Sequence, residues 1–266
     1  MIFLRILYPN DFKDIVYLSS NGFFYPKYQL SKNNILQYLD DNEMIVSKTN
    51  VEKSDEHNWK YNINEFGFRG DWNLNSNNKK IGFFGCSVTA GVGVREEYTF
   101  PHLVSAHCNN FEYFNFGTTG ASIQRISKIV SLVNKHIDLD YIILTLPATA
   151  RMSYKHPIGI LTDSIPGEVT NKNQKIYDIF DQEEFDLYAV DYIRLMSLEL
   201  KNKHVLWSSW CPHTYKMLEN LIDKKCLLSQ FPYNDNQARD NSHPGPGCHK
   251  TYSLNIIQQF QNKGWL

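Results

Sequence analysis

The stretch Ile81-Gly82-Phe83-Phe84-Gly85-Cys86-Ser87-Val88-Thr89-Ala90-Gly91-Val92-Gly93-Val94 constrains the fold more than any other part of the chain. It begins as an apolar, aromatic run with the character of a buried strand. It then breaks at Gly-Cys-Ser into a loop of small residues that leads toward a helix. A strand that ends this way leaves a serine side chain and several backbone N–H groups at the carboxyl edge of a sheet. In α/β folds that edge carries ligands and chemistry. The rest of the chain reads as a supply of partners for Ser87.

From Lys80 onward short apolar runs alternate with amphipathic stretches. Strands are expected over 80–85, 112–116, 141–146 and 204–208, and helices over 96–108, 120–136, 185–201, 215–221 and 247–263. This alternation argues for a parallel sheet covered on both faces. The stretch 152–184 interrupts it and is expected to be an irregular lid or insertion. Residues 1–75, rich in Asn, Lys, Tyr and Asp, read as an N-terminal extension or small subdomain, and 76–266 as the α/β domain. Short helices are expected at 11–19 and 31–39, the second capped by Ser31. The segment ends in Phe66-Gly67-Phe68-Arg69-Gly70, where Arg69 belongs either to a defined turn or to a solvated surface loop.

The formal net charge of -1 provides no electrostatic footprint for nucleic acid or an anionic membrane. The five cysteines are odd in number and widely spaced, without CxxC, which points to a reducing compartment rather than to disulfides or a zinc site. The first apolar run is too short for a signal peptide, and none is long enough to span a bilayer. The expected location is the cytoplasm, or outside the cell after release without a secretion signal, and no metal or cofactor is expected.

Four stretches carry polar groups suited to chemistry. The first is Gly85-Cys86-Ser87-Val88-Thr89, in which Ser87 is either a cap or turn residue or a nucleophile, and the latter requires a general base. Neighbouring residues of an extended segment point opposite ways, so Cys86 is expected to pack inward. The loop lacks the Gly-Lys-Ser/Thr of a Walker loop, the GxGxxG of a dinucleotide site and the GxSxG of a nucleophile elbow. The second is Asn115-Phe116-Gly117-Thr118-Thr119-Gly120, where Gly120 can present a backbone N–H without obstruction. The third, Pro147-Ala148-Thr149-Ala150-Arg151, places Thr149 and Arg151 at the sheet edge, with Arg151 either in the cleft or solvated. The fourth is Arg239-Asp240-Asn241-Ser242-His243-Pro244, a rigid loop on which Asp240 can fix the His243 tautomer and free the other ring nitrogen as a base. His204, His213 and His249 are expected to be structural.

Taken together, Gly85-Cys86-Ser87-x-Thr89, Asn115-x-Gly117-x-x-Gly120 and Asp240-x-x-His243-Pro244, in this order, resemble the SGNH/GDSL hydrolase superfamily. Phe66-Gly67-Phe68-Arg69-Gly70 resembles the Gly-Phe-Arg lead-in of many bacterial members. The resemblance covers the chain from about Asn64 onward. It implies a flavodoxin-like, three-layer α/β/α sandwich with a mainly parallel sheet. It also implies Ser87 as nucleophile, His243 as general base and acid, and Asp240 as its orienter. The implied oxyanion hole consists of the backbone N–H groups of Ser87 and Gly120 plus a side chain from the third stretch. Two positions depart from the family. Cys86 stands where Asp is usual, and Pro147-Ala148-Thr149 stands where Gly-x-Asn is usual, so Thr149 or Arg151 replaces the oxyanion donor or the donor is missing.

The function implied is a serine esterase removing a small acyl group, with an acyl ester or O-acetylated carbohydrate as substrate. Arg151 and Tyr154, with His156 nearby in the insertion, are candidate substrate-binding residues. Two alternatives stand beside it: an O-acyltransferase with a carbohydrate acceptor, and a binding or structural module on the same scaffold.

Overall fold

The computed structural model describes residues 62, 64, 66, 68–108, 111–155, 161–164, 180–233, 236–238 and 243–266. A parallel four-stranded sheet lies at the centre, built from β1 (Lys79–Gly85), β2 (Phe111–Gly117), β3 (Tyr141–Leu146) and, later in the chain, β6 (His204–Ser209). The order is β2-β1-β3-β6, and every pair is parallel. These strands are apolar at nearly consecutive positions because helices cover both faces, as parallel sheets require. The architecture is the expected α/β sandwich.

Residues that alternate along β1 show the two layers. Phe83 meets Phe100 of α2 (Phe100–His107) edge to face, and Phe100 in turn meets Tyr252 of α6 (Pro246–Asn262). Phe84, pointing the other way, stacks on Phe116 with ring centroids 4.6 Å apart. α3 (Ile123–His136) packs against α4 (Gln182–Glu199). Ser122 caps α3 by accepting from the Arg125 N–H (3.1 Å). Asp181 and Glu184 form a reciprocal capping box at the start of α4. Among the described residues no helix is long and apolar enough to cross a membrane.

Several boundaries differ from expectation for identifiable reasons. The helix expected over 96–108 is divided into a 3₁₀ turn, Glu96–Tyr98, and α2, with extended Thr99 between them. Pro101 has no N–H to continue an earlier helix and fits only the first turn of a new one. The helix expected from 120 begins at Ile123, because Gly120 is left-handed (φ 72) and Ser122 is extended. The helix expected over 215–221 begins at Pro212, as α5 (Pro212–Leu221).

The expected irregular insertion over 152–184 contains an antiparallel pair, β4 (Met152–Lys155) with β5 (Leu161–Ser164), and its last residues open α4. Met152 and Ser153 alternate in burial and pair across to Ser164 and Asp163, a local pairing that strand-helix periodicity does not reveal. Residues 156–160, including His156, and 165–179 lie outside the described residues, as do the helices expected at 11–19 and 31–39.

The described part of the 1–75 segment packs on the sheet. Asn64 Oδ1 accepts from the Phe66 and Phe68 N–H groups, and its Nδ2 donates to the Gly70 carbonyl. This local turn delivers Phe68, which is fully buried, and Trp72 against Phe116 and Phe114 of β2.

Candidate active site

The strand order reverses around β1: β2 lies on one side of it and β3 on the other. The carboxyl ends of these strands therefore form the switch point at which α/β folds place ligands. The register aligns the ends, pairing Gly85 with Gly117 and Thr145, and Leu146 with Ser209. The loops carrying Ser87, Gly120, Thr149, Arg151 and Trp210 thus leave the sheet side by side.

Ser87 begins a single helical turn, α1 (Ser87–Ala90), rather than the loop expected from its small neighbours. The turn closes at Gly91, which adopts φ 72 and donates to the Ser87 and Val88 carbonyls. Close packing holds this turn against the strands. A Cβ on Gly117 would come within 2.2 Å of the Ala90 nitrogen, and one on Gly85 within 2.7 Å of the Thr145 carbonyl oxygen. Asn115 joins the first two motifs: its Nδ2 donates to the Thr89 carbonyl (3.0 Å), and its Oδ1 accepts from the Gly117 N–H (2.9 Å). The Thr118 N–H donates to the Gly85 carbonyl (3.0 Å). The Ser87 hydroxyl is nearly buried, with the Cys86 sulfur 3.9 Å away.

Arg69 is 4% exposed and belongs to the site's scaffold rather than to a solvated loop. Its guanidinium donates to the Ala90 carbonyl (3.1 Å), the Gly91 carbonyl and the Val94 carbonyl (2.6 Å). It therefore ties down the segment directly after Ser87. Cys86 is fully buried, as expected, and its sulfur accepts from the Trp210 indole Nε1 (3.2 Å).

Thr149 is 4% exposed, and its hydroxyl oxygen accepts from Gln182 Nε2 (2.8 Å). Gln182 also donates to Asp186, whose other oxygen lies 2.7 Å from His213 Nε2. The Arg151 guanidinium lies over the Trp210 ring, 5.2 Å from its centroid. Trp210 and Gln182 carry no sequence motif; only their positions just after β6 and at the start of α4 bring them here.

His243 sits on the loop before α6, where its carbonyl accepts from the Ala238 N–H (2.7 Å) and Pro244 bridges to Gln237. Asp240 and the side chain of Tyr154 lie outside the described residues. His249, in the first turn of α6, is fully buried, and its Nδ1 accepts from the Phe100 N–H (3.2 Å).

Burial pushes the His249 imidazole down to about 3, with the charges of Arg69 and His243 acting in the same direction. In the unfolded chain the His249 ring titrates near 6.5. Between those values the unfolded state binds more protons, so stability is complete above about 6.5 and falls as the pH drops toward 3. At pH 5 this group alone should cost about 2 kcal/mol of stability. Urea unfolding at pH 7.5 and pH 5 tests this: the loss between the two should shrink by about that amount in His249→Gln. An identical loss in both proteins would refute the assignment.

No protein-family model and no curated protein matches the chain. Among solved structures it is similar to a lipolytic protein of the G-D-S-L family from Veillonella parvula, at 13% identity and TM-score 0.41, over 69% of this chain and 98% of that one. It is also similar to the psychrotrophic esterase EstA from Pseudoalteromonas, at 10% identity and TM-score 0.45, over 69% of this chain and 97% of that one. A third is a carbohydrate esterase, at 12% identity and TM-score 0.46, over 69% of this chain and 65% of that one.

Proposed function

We propose that the chain is a serine ester hydrolase of the SGNH type, releasing a small acyl group such as the acetyl of an O-acetylated carbohydrate. The observation that carries this reading is the position of Ser87. It lies at the switch point of a parallel sheet, in a turn held by Arg69 and Asn115, with the Gly120 and Thr149 loops beside it.

Ser87 Oγ attacks the ester carbonyl carbon while His243 takes the hydroxyl proton, and Asp240, from the spacing of its motif, orients the imidazole. The developing oxyanion receives the Ser87 and Gly120 N–H groups. Thr149 replaces the usual asparagine: its oxygen already accepts from Gln182, so its own hydrogen is left to donate toward the site. Collapse of the tetrahedral intermediate expels the alcohol, protonated by His243, and water then hydrolyses the acyl-enzyme.

A fluorophosphonate probe tests the nucleophile, alongside turnover of 4-nitrophenyl acetate and butyrate. Labelling that maps to Ser87, together with ester turnover, is the expected result. Labelling without turnover would favour acyl transfer to another hydroxyl. Neither labelling nor turnover would remove the hydrolase reading.

A further inference from the structure

A cavity of about 140 Å³ lies beside Thr149, between α3, β4 and α4. We propose that it binds a carboxylate carried by the ester substrate, held by the Arg151 guanidinium. The inference rests on the ester-hydrolase reading for its chemistry, and on the cavity for its specificity.

Arg151 is the one charged residue among the described residues that line the cavity. Among the described residues its buried Nη1 has no hydrogen-bond partner, and the guanidinium carbon lies over the Trp210 ring. A buried guanidinium N–H without an acceptor is costly, and the planar fork matches a carboxylate with two parallel hydrogen bonds. The neighbouring polar groups are already engaged: Gln124 donates to the Tyr192 hydroxyl (2.8 Å), and the Ser153 hydroxyl is paired with Ser122 (2.6 Å). That leaves the Arg151 edge as the charged donor without an acceptor, with the Thr149 hydroxyl hydrogen beside it.

Position links the cavity to the reacting centre. Trp210 carries Arg151 on its face and donates from Nε1 to Cys86, the residue before Ser87. Thr149, the proposed oxyanion donor, also lines the cavity. Size limits the ligand, since an apolar cavity of about 150 Å³ accommodates a benzene-sized molecule. The space therefore suits a carboxylate on a short stem rather than a whole sugar ring.

The carboxylate can belong to the acyl group or to the alcohol, and two substrate pairs separate these cases. Mono(4-nitrophenyl) succinate is compared with 4-nitrophenyl butyrate, and O-acetyl-lactate with O-acetyl-lactamide. The wild type should favour the charged member of at least one pair in kcat/KM by about ten- to a hundredfold. Arg151→Gln should abolish that preference, and Arg151→Lys, which keeps the charge but not the fork, should retain part of it. A preference for the neutral member in both pairs, or one that Arg151→Gln leaves intact, would overturn the proposal.

A binding measurement keeps this result separate from the hydrolase reading. In the Ser87→Ala background, calorimetric titration with monomethyl succinate and with O-acetyl-lactate should show binding of at least one, which Arg151→Gln weakens at least about tenfold. Binding lost with Arg151 supports the anion site even if no ester is turned over. Absence of binding of both compounds to the Ser87→Ala protein overturns it even if neutral esters are hydrolysed.

Discussion

Ser87→Ala is expected to lower kcat/KM for 4-nitrophenyl acetate by about 10⁴-fold or more, leaving only what binding and the oxyanion donors contribute. Removing the hydroxyl removes the atom that forms the acyl-enzyme, and no neighbour can replace it. The Cys86 sulfur is buried beneath the turn and accepts from Trp210. The fold should survive, because among the described residues the Ser87 hydroxyl makes only the long contact to that sulfur, and the unfolding free energy should change by less than about 1 kcal/mol. Rate and thermal unfolding measured on one preparation test both halves. Retention of more than about one per cent of the activity would mean that Ser87 is not the nucleophile.

Arg69→Met is expected to destabilise the protein by about 3–5 kcal/mol, the largest stability effect of any single polar substitution considered for this site. The guanidinium satisfies three carbonyls, on Ala90, Gly91 and Val94, within a buried segment. Methionine fills a similar volume and leaves the Ala90 and Val94 carbonyls without the guanidinium donor, while the Gly91 carbonyl keeps the Val94 N–H alone. For a domain of this size the melting temperature should fall by about 10 °C. Ester turnover should fall as well, since the segment immediately after Ser87 loses its anchor. Arg69→Lys can reach only part of the array, because an ammonium has no planar fork, and should fall in between. A melting temperature within about 2 °C of wild type would show that water replaces the guanidinium at little cost.

These two residues differ in how visible they are in the sequence. Ser87 stands at the end of an apolar run, and the period of that run places it at the carboxyl edge of a strand without any tertiary information. The same logic places β3, which is apolar at nearly every position and observed over the expected residues. Arg69 is different. Its neighbours Phe68 and Gly70 mark a turn, yet whether the guanidinium meets water or protein depends on a loop more than twenty residues further on. A local reading leaves both possibilities open.

The errors have the same physical origin. Pro101 does signal the break between the 3₁₀ turn and α2, but amphipathic periodicity carries across it. The β4–β5 pair consists of short strands whose hydrogen bonds run to each other and not to the main sheet. Its pattern lacks the continuous apolar run that marks a strand covered on both faces.

The sequence by itself determined the α/β class, the four parallel strands and the placing of Ser87, Gly120 and Thr149 at strand ends. Those features follow from burial periodicity and from turn residues acting over a few positions. Tertiary structure alone decided that Trp210 supports Cys86 and carries Arg151, that Gln182 occupies the Thr149 oxygen, and that a cavity opens beside them. Each of these contacts joins residues far apart in the chain, and only the order and register of the strands bring them to one edge.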